Sequence, residues 1–269
     1  MVPIANARMY SVSASAKADW QALLSWALHD AGLDWPWLDH DAPTPLSALW
    51  SRDDLGLAMM CGLPYSQRTS RPTLVAAPLP LPARYGRRPV YFTDLVVSAS
   101  SEHPTLEDTF GGVVGYTLAD SMSGGVALRH HLARYRNEAR PRLYRRSVGN
   151  LIHARGVIEA IVDGRIDVGP LDSYSHDLLA LHEPALAAQV RTLASTDAMP
   201  IPPLVATAAL ASDELARLRS ALRRTAEEPL VVKPMARLLL AGFAFPEPAD
   251  YDCLATIAAT DTTPFEDLR

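Results

Sequence analysis

The sequence predicts an α/β fold arranged as two lobes. Strand-like segments alternate with segments of helical periodicity along most of the 269-residue chain, the pattern of sheets covered by helices. Two strand–loop–helix units stand out, around 113–135 and 164–182, and their loops carry glycine, serine and aspartate. Two extended segments, 90–97 and 190–203, are placed as crossovers between lobes. Lobe one is then discontinuous, 1–95 plus 200–269, and lobe two is continuous, 96–199.

Taken in order, 4–9 reads as a strand and 16–31 as a helix, with Trp20, Leu23, Leu24, Ala27 and Leu28 on one face. Gly32 follows at the position where helices commonly end on a left-handed residue. A short edge strand is expected at 35–38, because Pro36 has no N–H for a ladder. A short helix at 46–51 precedes a buried strand at 55–61. Pro78, Pro80, Pro82 and Pro89 exclude a long helix from 72–89, which is expected to run extended. The β-formers of 90–97 make a strand. The alternation resumes with strands at 113–117, 143–148, 166–169 and 190–195 and helices at 126–135, 154–163 and 173–182. Beyond Pro200, Pro202 and Pro203 come a strand at 204–207, helices at 212–225 and 230–241, and a C-terminal helix from 248. Such alternation favours parallel sheets.

Composition narrows the function. Hydrophobic residues make up 48% and charged residues 20%, the balance of a globular protein. The net charge of −5 argues against nucleic-acid binding. No apolar run reaches the length of a membrane span, so no membrane insertion is expected. The first residues lack a basic stretch followed by an apolar one. On that reading the chain as it stands is expected to be cytoplasmic. Cys61 and Cys253 fit no metal or redox spacing and are expected to be small core residues. All but Lys17 and Lys233 of the 25 basic residues are arginine. Eight of them lie between Arg129 and Arg155 with Glu138 as the one acid, a solvated face or an edge that steers anions. His130 and His131 are neighbours on a helix, point different ways and are placed on the surface. Asp172 and His176 have i,i+4 spacing but no third ligand, so no metal site is expected. Nucleophile-elbow, zincin and Walker patterns are missing, and no cofactor is expected.

The chemistry concentrates in Asp120–Ser121–Met122–Ser123–Gly124–Gly125. A loop of small hydroxyl and glycine residues ahead of a helix offers backbone N–H groups, hydroxyls and a positive dipole end to an anion. The second loop, ending at Asp172–Ser173, opens a helix in the same way. Two such loops at strand C-termini suit the ligand edge of an open α/β sheet.

Several stretches, in order and spacing, resemble one family: CGLPY at 61–65, PVYFTDLVV at 89–97, TLEDTFGG at 105–112, DSMSGG at 120–125, VIEAIVDG at 157–164, VGPLDS at 168–173 and MPIPPLV at 199–205. Together they are similar to the phosphate/phosphite/phosphonate-binding components of ABC importers, a type II branch of the periplasmic-binding-protein superfamily. The resemblance implies two α/β lobes closing by a hinge on a ligand in an interlobe cleft. It implies that Ser121, Ser123 and Gly124 hold an anion and that Asp172 meets an amino group. Tyr10, Tyr65 and Tyr91, with Cys61, would wall the cleft from lobe one. Met122 stands where the family usually has threonine or serine, and the family's histidine turn near 149–150 finds its nearest histidine at His153.

The function implied is capture of a small anionic or zwitterionic ligand, phosphonate-like or phosphate-like, for delivery to an ABC transporter membrane subunit. An enzyme on a binding-protein-like fold, or a ligand sensor, is the alternative. Each site residue also has a purely structural role open to it. Ser121, Ser123 and Asp172 can serve as helix caps, and the tyrosines as core aromatics.

Overall fold

The computed structural model describes residues 2–42, 44–260 and Phe265. The chain divides into two compact units: unit 1 is Met1–Val90 with Pro200–Tyr251, and unit 2 is Tyr91–Met199 with Asp252–Arg269. Unit 1 opens with strand β1 (Ile4–Asn6), helices α1 (Ala14–Asp30) and α2 (Leu46–Trp50), strand β2 (Leu55–Met59), helix α3 (Gly62–Gln67) and strand β3 (Thr73–Pro80). The two-residue strand β4 (Val90–Tyr91) leads into unit 2. There follow β5 (Thr93–Ser98), β6 (Val113–Gly115), α4 (Ala127–Ala133), β7 (Arg146–Val148), α5 (Ala154–Val162), β8 (Gly169–Asp172), α6 (Ser173–His182), α7 (Pro184–Ala187) and β9 (Val190–Ser195). The chain returns through β10 (Met199–Pro200) to β11 (Leu204–Ala206), α8 (Ser212–Arg224), α9 (Val232–Arg237) and β12 (Leu240–Ala244), and α10 (Asp252–Thr260) belongs to unit 2.

Unit 1 is built on a five-stranded sheet in the order β1-β2-β11-β3-β12. Only β1 and β2 pair in parallel; β11 runs against β2 and β3, and β12 against β3. The sheet is therefore mixed, where alternation along the chain favoured parallel pairing. The chain returns to this sheet from a distant part of the sequence, and strands that meet this way need no crossover helix to set their direction. Helix α1 buries Trp20, Leu23, Leu24, Ala27 and Leu28, the expected face. Ser13 starts it, its hydroxyl accepting from Ala16 N at 3.1 Å. Its end is a Schellman turn: Gly32 N donates to His29 O at 2.9 Å, Leu33 N donates to Leu28 O at 2.8 Å, and Gly32 sits at φ 69°. Each leucine so buried contributes up to about 1.5–3 kcal/mol.

Of the proline-rich stretch, 73–80 runs extended as the eight-residue strand β3, whereas 83–85 form a 3-10 turn that ends at the left-handed Gly86. Arg219 of α8 clamps β3, donating from Nε to Val75 O at 3.1 Å and from Nη2 to Leu74 O at 2.6 Å. The expected helix over 230–241 is corrected. Helix α9 stops at Arg237, Leu239 takes a left-handed φ of 51° while its carbonyl accepts from Leu81 N, and β12 begins at Leu240. Short apolar runs such as Leu238–Leu239–Leu240 suit helix or strand equally, and the open edge of β3 decides here.

In unit 2, β5 is the centre of an antiparallel sheet ordered β8-β5-β9. Strands β6 and β7 pair in parallel, and Val114 bridges Val168 in parallel. Leu95, Val97, Leu106, Val114, Leu128 and Val168 are part of one buried cluster that includes Phe265. Phe265 stacks on Tyr116 with centroids 3.8 Å apart, and the Arg129 guanidinium lies 5.0 Å over its ring. Hence the described part of 252–269 joins unit 2 and not the lobe of 200–251, and Tyr91 also falls in unit 2. These contacts are long-range and leave no local trace in the sequence. Two smaller expectations are corrected as well. Cys253 is exposed on α10 while Cys61 is half-buried. His131 is 5% exposed rather than on the surface.

Two outcomes follow from this packing. Phe265→Ala is expected to destabilise unit 2 by about 3 kcal/mol through the cavity it leaves; unchanged thermal and urea unfolding would detach the C-terminal segment from that core. Burial first, and Arg134 second, hold the His131 ring below its ordinary value, with His130 adding and Asp197 and Glu107 opposing. The folded state keeps the ring neutral while the unfolded chain protonates near pH 6.5, so this stabilisation is full above that value and is lost as pH falls. The wild type is therefore expected to lose more stability than His131→Phe between about pH 7.5 and about pH 5, measured by urea midpoints.

Candidate functional site

Three chain segments leave the C-terminal edge of neighbouring strands in unit 2 and run straight into helices. Strands β6 and β7 are in register from Val113↔Arg146 to Gly115↔Val148, and Val168 joins Val114 just before β8. The segments that leave are 116–121 after β6, 149–153 after β7, and Asp172–Ser173 at the end of β8.

The first carries the serine loop. Helix α4 is preceded by one π-helical turn, Met122–Val126, in which Val126 N donates to Ser121 O at 2.9 Å. Such turns are rare and occur mostly at functional sites. Ser121 caps it, Oγ accepting from Gly124 N at 3.3 Å. Gly124 is required by close approach: a Cβ there would lie 1.8 Å from Thr117 Oγ1. Thr117 N also donates to Gly124 O at 3.1 Å, which folds the loop back on its own start. Met122 is fully buried, so this residue faces the interior where the family usually places a hydroxyl. Ser123 is half-buried, and its carbonyl accepts from Thr93 Oγ1 at 2.9 Å.

The second segment ends at His153, which is exposed and caps α5, Nδ1 accepting from Gly156 N at 3.1 Å. Asn150 and Ile152 before it have φ of 56° and 67°. For a β-branched residue this is a strained conformation costing roughly 1–3 kcal/mol, of the kind that clusters at binding sites. In the third, Asp172 caps α6, Oδ1 accepting from Tyr174 N at 3.0 Å and Ser175 N at 2.9 Å. Thr93 lies opposite Asp172 in the ladder, and Phe92 N donates to Ser173 Oγ at 3.0 Å. The capping roles of Ser121, His153 and Asp172 are thus realised. They also set three helix starts, with their partial positive charge, along one edge.

Tyr91 lies just before this edge in sequence and is buried. Tyr10, Cys61 and Tyr65 sit in unit 1, after the C-terminal ends of the parallel strands β1 and β2. Tyr10 closes a 3-10 turn and is buried, and Cys61 precedes α3. Tyr65 meets Tyr251 edge-on at 5.2 Å, with the Arg71 guanidinium 5.5 Å over its ring. Burial, and then Tyr65, push the Tyr251 hydroxyl well above its ordinary value, and it donates to Ile201 O at 2.9 Å. The candidates therefore fall into two groups, one in each unit.

Sequence reasoning missed Thr93 and Thr117, ordinary β-formers whose hydroxyl roles leave no local signal. It also missed a buried polar cluster. Asp94 is fully buried, its Oδ1 accepting from Ser195 Oγ at 2.8 Å and its Oδ2 from His176 Nδ1 at 2.9 Å. A carboxylate inside the apolar run 90–97 was the available signal, since an aspartate is almost never fully buried unpaired. His176 is held by Asp94 and does not join Asp172 in a ligand pair. Among the described residues no group of three histidine, cysteine, aspartate or glutamate side chains could hold a metal ion. Gly124→Ala is expected to destabilise the protein by about 1–3 kcal/mol through overpacking. Thr117→Ala in the same chain should recover part of that loss in a double-mutant cycle, and strict additivity would show that the close approach does not matter.

The chain matches the family of ABC transporter phosphonate periplasmic substrate-binding proteins over residues 47–251. No curated protein matches it. PhnD1 from Prochlorococcus marinus, solved in complex with methylphosphonate, superposes with a TM-score of 0.79 at 12% identity, covering 96% of this chain and 98% of that one. The binding-protein component of an ABC phosphonate transporter from Pseudomonas aeruginosa gives 0.76 at 16% identity, covering 96% and 86%. XAC2383 from Xanthomonas citri, solved bound to ATP, gives 0.64 at 20% identity, covering 96% of each chain. At these identities the structures speak for a shared fold alone, while the family match spans most of the sequence: the chain belongs to the periplasmic substrate-binding proteins of phosphonate ABC transporters.

Proposed function

We propose that the protein captures a small anionic or zwitterionic ligand of the phosphonate type at the Ser121–Gly124 helix start, for delivery to an ABC transporter membrane subunit on the periplasmic side. One observation carries this reading: the capped helix starts at Ser121, His153 and Asp172 share one edge, with Thr93 touching both Ser123 and the strand of Asp172. An oxyanion there accepts from backbone N–H groups and hydroxyls, each charge-assisted bond being worth about 1.5–3 kcal/mol. With Met122 turned inward, the backbone N–H groups and Ser123 do the work that a second hydroxyl would share. Asp172 adds a carboxylate for an amino group, which favours zwitterions such as aminoalkylphosphonates. Tyr10, Cys61, Tyr65 and Tyr91 belong to the same reading as ligand contacts.

Thermal shifts with methylphosphonate, phosphite, phosphate and an aminoalkylphosphonate test it. A ligand at a hundred times its Kd stabilises by about 2.7 kcal/mol. The Ser123→Ala/Asp172→Ala double variant is expected to lose that shift, and an unchanged shift in it, or no shift with any of the four in the wild type, sinks the assignment. Asp172→Asn keeps a good cap and removes the charge. It should therefore weaken the aminoalkylphosphonate at least tenfold while leaving methylphosphonate nearly as it was.

A further inference from the structure

We infer that a second pocket in unit 2, between α4, the segment 196–199 and α10, binds a short aliphatic carboxylate. Its polar floor is His131, and its rim carries His130, Arg134 and Asp197. His131 is 5% exposed, and neither ring nitrogen has a hydrogen-bond partner among the described residues. A satisfied core histidine has at least one partner, since a buried donor left unmade costs its full desolvation. The ring always has an N–H to give, in either tautomer.

The charges select an anion. Arg134, the C-cap of α4 three residues beyond His131, meets Asp197 at 3.5 Å, a long contact to a carboxylate that is 87% exposed. Its guanidinium is thus open to a closer, two-pronged grip on an incoming carboxylate. A metal ion is disfavoured by the same guanidinium and by the lack of a third ligand among the described residues.

The remaining walls select the tail. Ala127, Ala198, Met199 and Ile257 line the pocket with apolar surface, and Thr196 completes the lining. The cavity is about 80 Å³. An engineered cavity of about 150 Å³ holds benzene, so this one fits a molecule of propionate size. The carboxylate faces Arg134 and the His131 N–H, and the alkyl chain lies on the alanines, Met199 and Ile257. None of Ser121–Gly124 lines this pocket, and the proposal does not rest on the phosphonate reading.

The test is a titration of the full-length protein with propionate, following the ring resonances of His131 by NMR. A saturable shift is expected, with the ring's titration midpoint moving upward as the carboxylate favours the imidazolium. Arg134→Ala, at an exposed position, should weaken propionate at least tenfold, and propylamine, with the same tail and opposite charge, should leave His131 unmoved. The Ser123→Ala/Asp172→Ala variant should respond to propionate as the wild type does, which separates this site from the phosphonate one. No saturable response to propionate, an Arg134→Ala variant that binds equally well, or an equal response to propylamine overturns the proposal. A response to inorganic phosphate as strong as that to propionate overturns the assignment of the apolar tail.

Discussion

The candidate edge of unit 2 depends on the pleat of one strand. Neighbouring side chains on β5 point to opposite faces of the sheet, and Thr93 and Asp94 use that alternation for different ends. Thr93 reaches the carbonyl of Ser123 and holds the serine loop. Asp94, on the other face, gathers His176 from α6 and Ser195 from β9. A slip of one residue in the pairing of β5 would exchange the two. The carboxylate would then face the serine loop, and the three-stranded sheet would lose its buried anchor. Register, rather than any single contact, keeps the Asp94 carboxylate away from the serine loop.

Capping and the proposed anion binding draw on the same groups. The first N–H groups of a helix have no partner within it, and Ser121, His153 and Asp172 each take up one or two. The caps leave others at the same ends for a ligand and fix the direction in which those groups point. An acidic cap such as Asp172 also lowers the local positive potential, which suits a ligand carrying an amino group beside its anion. Structural and functional readings of these residues thus describe one arrangement.

What could be read from the sequence was local. The face and Schellman end of α1, the caps at Ser121 and Asp172 and the extended course of 73–80 all follow from spacing and residue chemistry within a few positions. The π-turn at Met122–Val126 was hidden, as was the approach of Thr117 to Gly124, a contact across the loop. The strand at Leu240–Ala244 depends on an edge offered by β3, far away in sequence. Likewise Phe265 declares its unit through contacts distant in sequence, with the Tyr116 ring and the Arg129 guanidinium. The site residues carried a recognisable order along the chain, but that order was silent on which tyrosine belongs to which unit.

The cap at His153 has a chemical corollary. With Nδ1 occupied as an acceptor from the Gly156 amide, a neutral ring must keep its hydrogen on Nε2, the atom that points away from the helix. A single backbone amide thus selects the tautomer at the opening turn of α5, next to the left-handed Ile152.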